Sequence, residues 1–316
     1  AISVIDVPPM SYEMRRFLEA VSDYTITPIN LILRLCTRVP DLNKPSATQK
    51  VFSLVSNYSD FKKTPQRDLL ISALTKTNKN KLTTKEIVSI SGVSSAVIAA
   101  AARIGILNEE IIPRDRPYPV LNPNFKSKKL SPSQINACTA IMDLQKKNSF
   151  SSILLQGVTG SGKTEVYLEA VANALKNGEQ VLVLLPEIAL TSEFFNRVKN
   201  RFGANPAEWH SGATLAERRR IWKMVASGGA KLVIGARSAL FLPFMNLGLV
   251  IVDEEHDHSY KQEDGVIYNA RDMAVLRSSV EGSMVILASA TPSLESWVNA
   301  KNGKYKHCLL YTSPSP

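Results

Sequence analysis

The 316-residue sequence has little cysteine, histidine or tryptophan, with three, four and three residues of each. Cys36, Cys138 and Cys308 stand alone and far apart, which excludes a disulfide framework and a paired zinc knuckle. Idle buried thiols are expected. No run of 18 apolar residues occurs, so there is no candidate transmembrane helix. The opening "AISVIDVPPM" lacks both the basic region and the long apolar segment of a secretory leader. A cytoplasmic protein with no membrane partner is therefore expected. The chain opens on Ala and reaches its first helix quickly, so further sequence is expected to precede it. At 44% hydrophobic residues the chain can build true cores in two or three domains.

The formal net charge is +10, and it is unevenly spread. Residues 1–150 carry 21 lysines and arginines against 12 acids, a net of +9, and residues 151–316 carry 17 against 16, a net of +1. Cations concentrated in this way neutralise backbone phosphates and release condensed counterions, which points to a nucleic-acid partner. A generically solvated basic surface is the bland alternative.

Residues 1–45 contain one helical stretch, "SYEMRRFLEAVSDYT", with Met14, Phe17, Leu18 and Val21 at 3/4 spacing, and a second apolar segment, "INLILRLCTRVP". Residues 46–120 read as a small unit of three helices, "QRDLLISALTK", "TTKEIVSISG" and "SSAVIAAAARIGIL", followed by a hairpin. That order is the one a winged helix-turn-helix uses. Its third helix carries only Arg103 as a charge, so docking or non-specific binding is expected rather than base reading. A polar linker, "LNPNFKSKKLSPSQ", follows. Beyond residue 150, β-branched strands alternate with amphipathic helices, which predicts an α/β fold around a parallel sheet covered on both faces. Thr214 and Glu217 have the spacing of a capping box.

In "GVTGSGKTEVYL", Gly157, Gly162, Lys163 and Thr164 fit G-x-x-x-x-G-K-[ST]. Such a loop uses glycines so that successive backbone N–H groups can close on phosphates, a lysine to reach their oxygens and a hydroxyl for the metal. Thr159, Gly160 and Ser161 complete it. A second element, "LVIVDEEH", ends a buried strand in Asp253 and Glu254; one carboxylate can hold Mg²⁺ and the next can orient or deprotonate a water. A third, "LASATPS", places Ser289 and Thr291 after another apolar strand.

The order of phosphate loop, D-E-x-H and S-A-T resembles the superfamily 2 helicases. With "LLPEIALT", "WHSG", "GARSALFLPF", "DHSYKQEDGVIYNARDMA" and "LASATPSLES", the resemblance narrows to the bacterial replication-restart (primosomal) DNA helicases. It implies the end of a domain that captures a DNA 3′ end in residues 1–45, a winged-helix domain in 46–120, and one RecA-like helicase lobe in 121–305. Residues 306–316, Lys306 followed by "HCLLYTSPSP", depart from the family and are expected to be a non-native tail. The resemblance implies ATP and Mg²⁺ as cofactors, with Gln134 of "LSPSQINA" reading adenine, Lys163 and Thr164 on the phosphates and metal, Asp253 on the metal and Glu254 on the water. It implies that His256 couples this segment to Ser289 and Thr291. It also implies that Arg237, Ser238, Tyr260, Lys261 and Arg271 face DNA, single-stranded or forked, and that replication-restart and single-strand-binding proteins are partners. A monomer that moves 3′ to 5′ is expected of the whole protein. Neither second-lobe motifs nor the family's zinc ligands are present in this sequence, so this portion is expected not to unwind alone. The rival reading is a winged-helix nucleotide switch that binds DNA or protein without unwinding.

Overall fold

The computed structural model describes residues 8–37, 39, 42, 48–57, 64–77, 79–113 and 117–311. They form two compact units, one of residues 45–116 and one of residues 1–44 with 117–316.

In the smaller unit the order is β1 (Thr48–Leu54), α3 (Pro65–Thr75), β2 (Leu82–Thr83), α4 (Thr84–Ser91), α5 (Ser95–Arg103) and β3 (Leu107–Pro113). Thr83 and Glu86 form a reciprocal capping box at the start of α4, and Gly92 ends that helix in the left-handed region at φ 71°. Ser94 begins α5 without a side-chain capping bond. The expected hairpin after the third helix is not formed by the described residues. Instead β3 returns to pair antiparallel with β1 along its length, from Thr48 opposite Pro113 to Leu54 opposite Leu107, and β2 pairs on β1's other side. Phe52, Leu70, Ile87, Ile98 and Leu107 make the core beneath this sheet.

In the larger unit, α1 (Tyr12–Thr25) and α2 (Ile29–Thr37) precede α6 (Pro132–Gln145), β4 (Ser151–Gly157), α7 (Lys163–Lys176), β5 (Gln180–Leu184) and α8 (Ser192–Phe202). Then come β6 (Ala207–Trp209), α9 (Leu215–Ala226), β7 (Leu232–Gly235), β8 (Leu247–Asp253), β9 (Lys261–Gln262), β10 (Tyr268–Asn269), α10 (Ala270–Glu281), β11 (Met284–Ser289), α11 (Leu294–Lys301) and β12 (Lys306–Leu310). Seven strands form one sheet in the order β12-β4-β11-β8-β5-β7-β6, with every pairing parallel.

Both faces are covered, because side chains alternate between two cores at the strand period of two. Leu182, Leu184, Val250, Val252, Val285 and Leu287 join Met14, Phe17, Ile221 and Met273 on one face. Val181, Val183, Leu249, Ile251 and Ile286 join Ile141, Tyr167, Val171 and Val198 on the other. The first two helices thus pack on the sheet of this unit, with Phe17 5.6 Å from Phe241 and the Trp222 indole donating to the Cys36 carbonyl at 2.7 Å. At α9, Thr214 accepts the Glu217 N–H at 3.2 Å, the Thr half of the expected box.

One boundary is corrected. Lys306–Leu310 was expected to lie outside the lobe, but it forms the edge strand against β4, and Cys308 and Leu310 are buried there. Residues 312–316 of the expected tail fall outside the described residues, as do 1–7, 38, 40–41 and 43–45 of the expected leading segment. Among the described residues no single helix is long and apolar enough to cross a membrane.

Candidate nucleotide site and its surroundings

The loop after β4 turns tightly, with the Ser161 N–H on the Val158 carbonyl at 3.0 Å and positive φ at Gly160 (81°) and Gly162 (84°). A side chain at Gly162 would also strike Gln134, whose Nε2 lies 2.2 Å from where a Cβ would sit. At Gly157 a Cβ would come within 2.5 Å of the Ser161 Oγ. Conformation requires glycine at 160 and 162, and space, with the Leu310 Cβ 2.9 Å away, requires it at 157. Gly162 caps α7 without a side-chain bond, so the helix opens with free backbone donors, the arrangement that suits an anion. The Ser161 hydroxyl is buried without a hydrogen-bond partner among the described residues, and the Lys163 ammonium, itself buried, donates to the Gly157 carbonyl at 2.8 Å. A loop of converging donors with one orphaned hydroxyl fits a phosphate chain.

Opposite it, β8 delivers Asp253 at the carboxyl end of the sheet, where open α/β folds keep ligands. Asp253 is buried. Its Oδ2 accepts the Tyr167 hydroxyl at 2.8 Å and its Oδ1 accepts the Glu254 N–H at 3.0 Å. Burial pushes its pKa above the ordinary aspartate range, partly offset by the tyrosine bond, and the neighbouring Glu254 charge adds to the rise. A desolvated carboxylate of this kind gains most from a cation. Magnesium characteristically takes only one or two protein carboxylates and completes its shell with water and phosphate. Asp253 and Thr164, flanking the phosphate loop, fit that demand.

Glu254 sits in the left-handed region at φ 47°, a conformation that costs a non-glycine residue on the order of 1 kcal/mol. It carries the carboxylate to 4.0 Å from the Lys163 ammonium and 3.7 Å from His256. His256 Nδ1 is 2.8 Å from the Ser289 Oγ, which also accepts the Thr291 N–H at 3.1 Å. The three motifs expected from the sequence therefore meet in one cleft.

Gln134 lies at the first turn of α6. Its oxygen accepts the Ser131 N–H at 2.8 Å and its amide donates to the Ser161 carbonyl at 2.8 Å. It ties the helix to the phosphate loop and keeps one N–H free.

The residues expected to face DNA divide into two sets. Ser238 and Lys261 are exposed; Ser238 accepts the Trp209 indole at 3.0 Å and Lys261 pairs with Glu263 at 3.1 Å. Arg237 donates to the carbonyls of Ser259 at 3.0 Å and Lys261 at 2.8 Å, and it lines a cavity of about 320 Å³ with Leu185, Ile188 and Ser259. Tyr260 and Arg271 do not face outward. The Tyr260 ring is buried because its hydroxyl finds two strand-end carbonyls, Leu184 at 3.0 Å and Asp253 at 2.6 Å. Arg271 is buried among three acids, Glu255 at 3.5 Å, Asp272 at 2.8 Å and Glu295 at 3.6 Å.

Two residues of the site were not singled out from the sequence. Glu255, 1% exposed, accepts the Ser293 N–H at 2.7 Å and the hydroxyls of Ser293 and Ser296 at 2.9 Å, so it clamps the segment after Thr291 to the acid cluster. Its place in "DEEH" and the serines of "TPSLES" were the available signal. Tyr167, one turn beyond Thr164, was hidden in an apolar helix face.

Comparison with known proteins agrees with this geometry. The DEAD/DEAH box helicase model matches residues 131–299, more than half of the chain, and the chain belongs to that family. Within it the chain is similar to the Replication restart protein PriA of Rickettsia conorii, 44% identical over 216 residues, which is 66% of this chain and 33% of the relative. The Bacillus subtilis protein of the same name is 40% identical over 231 residues, 72% of this chain and 28% of the relative. The chain thus spans about a third or less of the length of these relatives, and the resemblance read from its motifs is borne out. A solved structure of RecG bound to a three-way DNA junction matches with 25% identity and a TM-score of 0.46, over 60% of this chain and 25% of that one.

Proposed function

We propose that this chain is the nucleotide-binding lobe of an ATP-driven motor on DNA, of the replication-restart kind, acting 3′ to 5′ on stalled or branched forks. The observation that carries the reading is the convergence of the loop 157–164 on Asp253 and Glu254, with the Lys163 ammonium 4.0 Å from Glu254 and the Ser161 hydroxyl unpartnered among the described residues. In this reading Gln134 recognises adenine with its remaining N–H, and the N–H groups of Thr159, Gly160 and Gly162, the Ser161 hydroxyl and Lys163 hold the phosphates. Thr164 and Asp253 hold Mg²⁺. When bound, that ion neutralises charge on the β- and γ-phosphate oxygens. Glu254 orients a water and takes its proton, and the strained backbone at that residue aims the carboxylate.

The chain His256–Ser289–Thr291 conveys the state of the site to the segment held by Glu255. DNA runs past Arg237, Ser238 and Lys261, beside the cavity at Ile188, and phosphate competes there for the Arg237 guanidinium. Residues 46–120 are read as a winged-helix domain, supported by the strand and helix order and the antiparallel sheet of the described residues. Replication-restart and single-strand-binding proteins are the proposed partners.

The test is Glu254→Gln in a chain of the relatives' full length. ATP affinity should stay within about threefold while DNA-dependent turnover falls by at least about 100-fold. Equal loss of both would remove Glu254 from the chemistry.

A further inference from the structure

Tyr167 is fully buried, and its phenol lies against Asp253, one of the two side chains read as magnesium ligands. It sits three residues after Thr164 on α7, so the two share a helix face directed at the end of β8. Its hydroxyl donates to Asp253 Oδ2 at 2.8 Å. The other carboxylate oxygen is held by the Glu254 N–H at 3.0 Å. Each oxygen of Asp253 therefore has one fixed donor and keeps lone pairs for a cation or its water. A phenylalanine would fill the same room in the core without the cost of burying a hydroxyl. The hydroxyl is thus explained by what it holds.

We propose that Tyr167 is a positioning residue of the nucleotide site, whose hydroxyl sets the orientation of the Asp253 carboxylate before the metal arrives. The proposal rests on the nucleotide reading above. The contact is a single buried bond, Tyr167 hydroxyl to Asp253 carboxylate, made away from solvent. Groups that orient metal ligands in this way are typically worth about 10- to 100-fold in metal affinity. A packing role alone would leave metal dependence untouched.

The experiment titrates Mg²⁺ against a fluorescent ADP derivative bound to the 316-residue chain and to Tyr167→Phe. The variant should need about 10-fold more Mg²⁺ for half-maximal tightening, while its affinity for the derivative in EDTA stays within about twofold of the parent. Equal Mg²⁺ dependence in the two chains overturns the positioning role and leaves the nucleotide reading intact. A parent chain that binds no ADP derivative with or without Mg²⁺ overturns that reading and this proposal together. A second measurement serves if Tyr167→Phe fails to fold, and it uses the parent labelled with ¹³Cζ-tyrosine. The Tyr167 line should move when Mg²⁺ is added to the ADP-saturated chain and not when ADP is added alone. A line that ignores Mg²⁺ overturns the proposal.

Discussion

Glu255→Ala removes the acceptor that joins the acid cluster to the start of α11. The native carboxylate is 1% exposed and takes three hydrogen bonds from Ser293 and Ser296, with the Arg271 guanidinium 3.5 Å away. Removing one member of a buried ion pair costs about 3–5 kcal/mol, mostly through the charge left behind. Arg271 would keep Asp272 at 2.8 Å and Glu295 at 3.6 Å, whose side chains are 38% and 70% exposed. Those partners are wet, so they soften the loss without cancelling it, and the lower end, about 3 kcal/mol, is expected. In a domain of 150–250 residues that corresponds to a fall of roughly 6–12 °C in Tm. All three tryptophans, Trp209, Trp222 and Trp297, lie in the larger unit, so their fluorescence follows the unfolding of that unit alone. The paired replacement Glu255→Leu with Arg271→Met should still lose at least about 1 kcal/mol, because the ion pair is replaced but the Ser293 N–H and two serine hydroxyls lose their acceptor. A loss below about 1 kcal/mol for Glu255→Ala by itself, read by urea denaturation, would refute the clamp.

Two further outcomes follow from charge. Glu86 in the α4 capping box has its pKa lowered to about 2 from 4.5, chiefly by the Thr83 backbone N–H. Its stabilisation is therefore complete above about pH 4.5 and is lost as pH falls toward about 2, so amide exchange across residues 84–91 should accelerate over that window, and Glu86→Gln should flatten the change. Because the net +9 lies in residues 1–150, DNA affinity of the chain should fall steeply with added salt, with a log–log slope of several units, measured by anisotropy; a flat response would point to a protein partner.

Much of the larger unit was legible because a parallel sheet buried on both faces must be written as unbroken apolar runs. The strands at 151–157, 180–184, 232–235, 247–253 and 284–289 all carry such runs. The phosphate loop and Asp253 were legible because their residue types are rarely placed at strand ends for packing alone. What escaped was decided by partners distant in sequence. Lys306–Leu310 is short and mixed, and only pairing with β4 makes it a strand. Tyr260 and Arg271 lie in a polar stretch, where neither periodicity nor composition reveals that one plugs two strand ends and the other answers three acids. The apolar stripe of Tyr12–Thr25 predicted a helix but could not say which surface it would cover, and that surface is the sheet of the larger unit. In the smaller unit the helices were legible from their caps, whereas the pairing of β1 with β3 joins segments over 50 residues apart and left no local signal.

The central claim, that residues 157–164 and 253–254 hold magnesium and ATP together, is tested most directly by calorimetric titration of Mg·ATP into the 316-residue chain and into Lys163→Ala. The chain should bind one equivalent of Mg·ATP, and the variant, having lost the ammonium that sits 2.8 Å from the Gly157 carbonyl and 4.0 Å from Glu254, should show no binding. Equal heats from both chains, or none from the parent, would contradict the account.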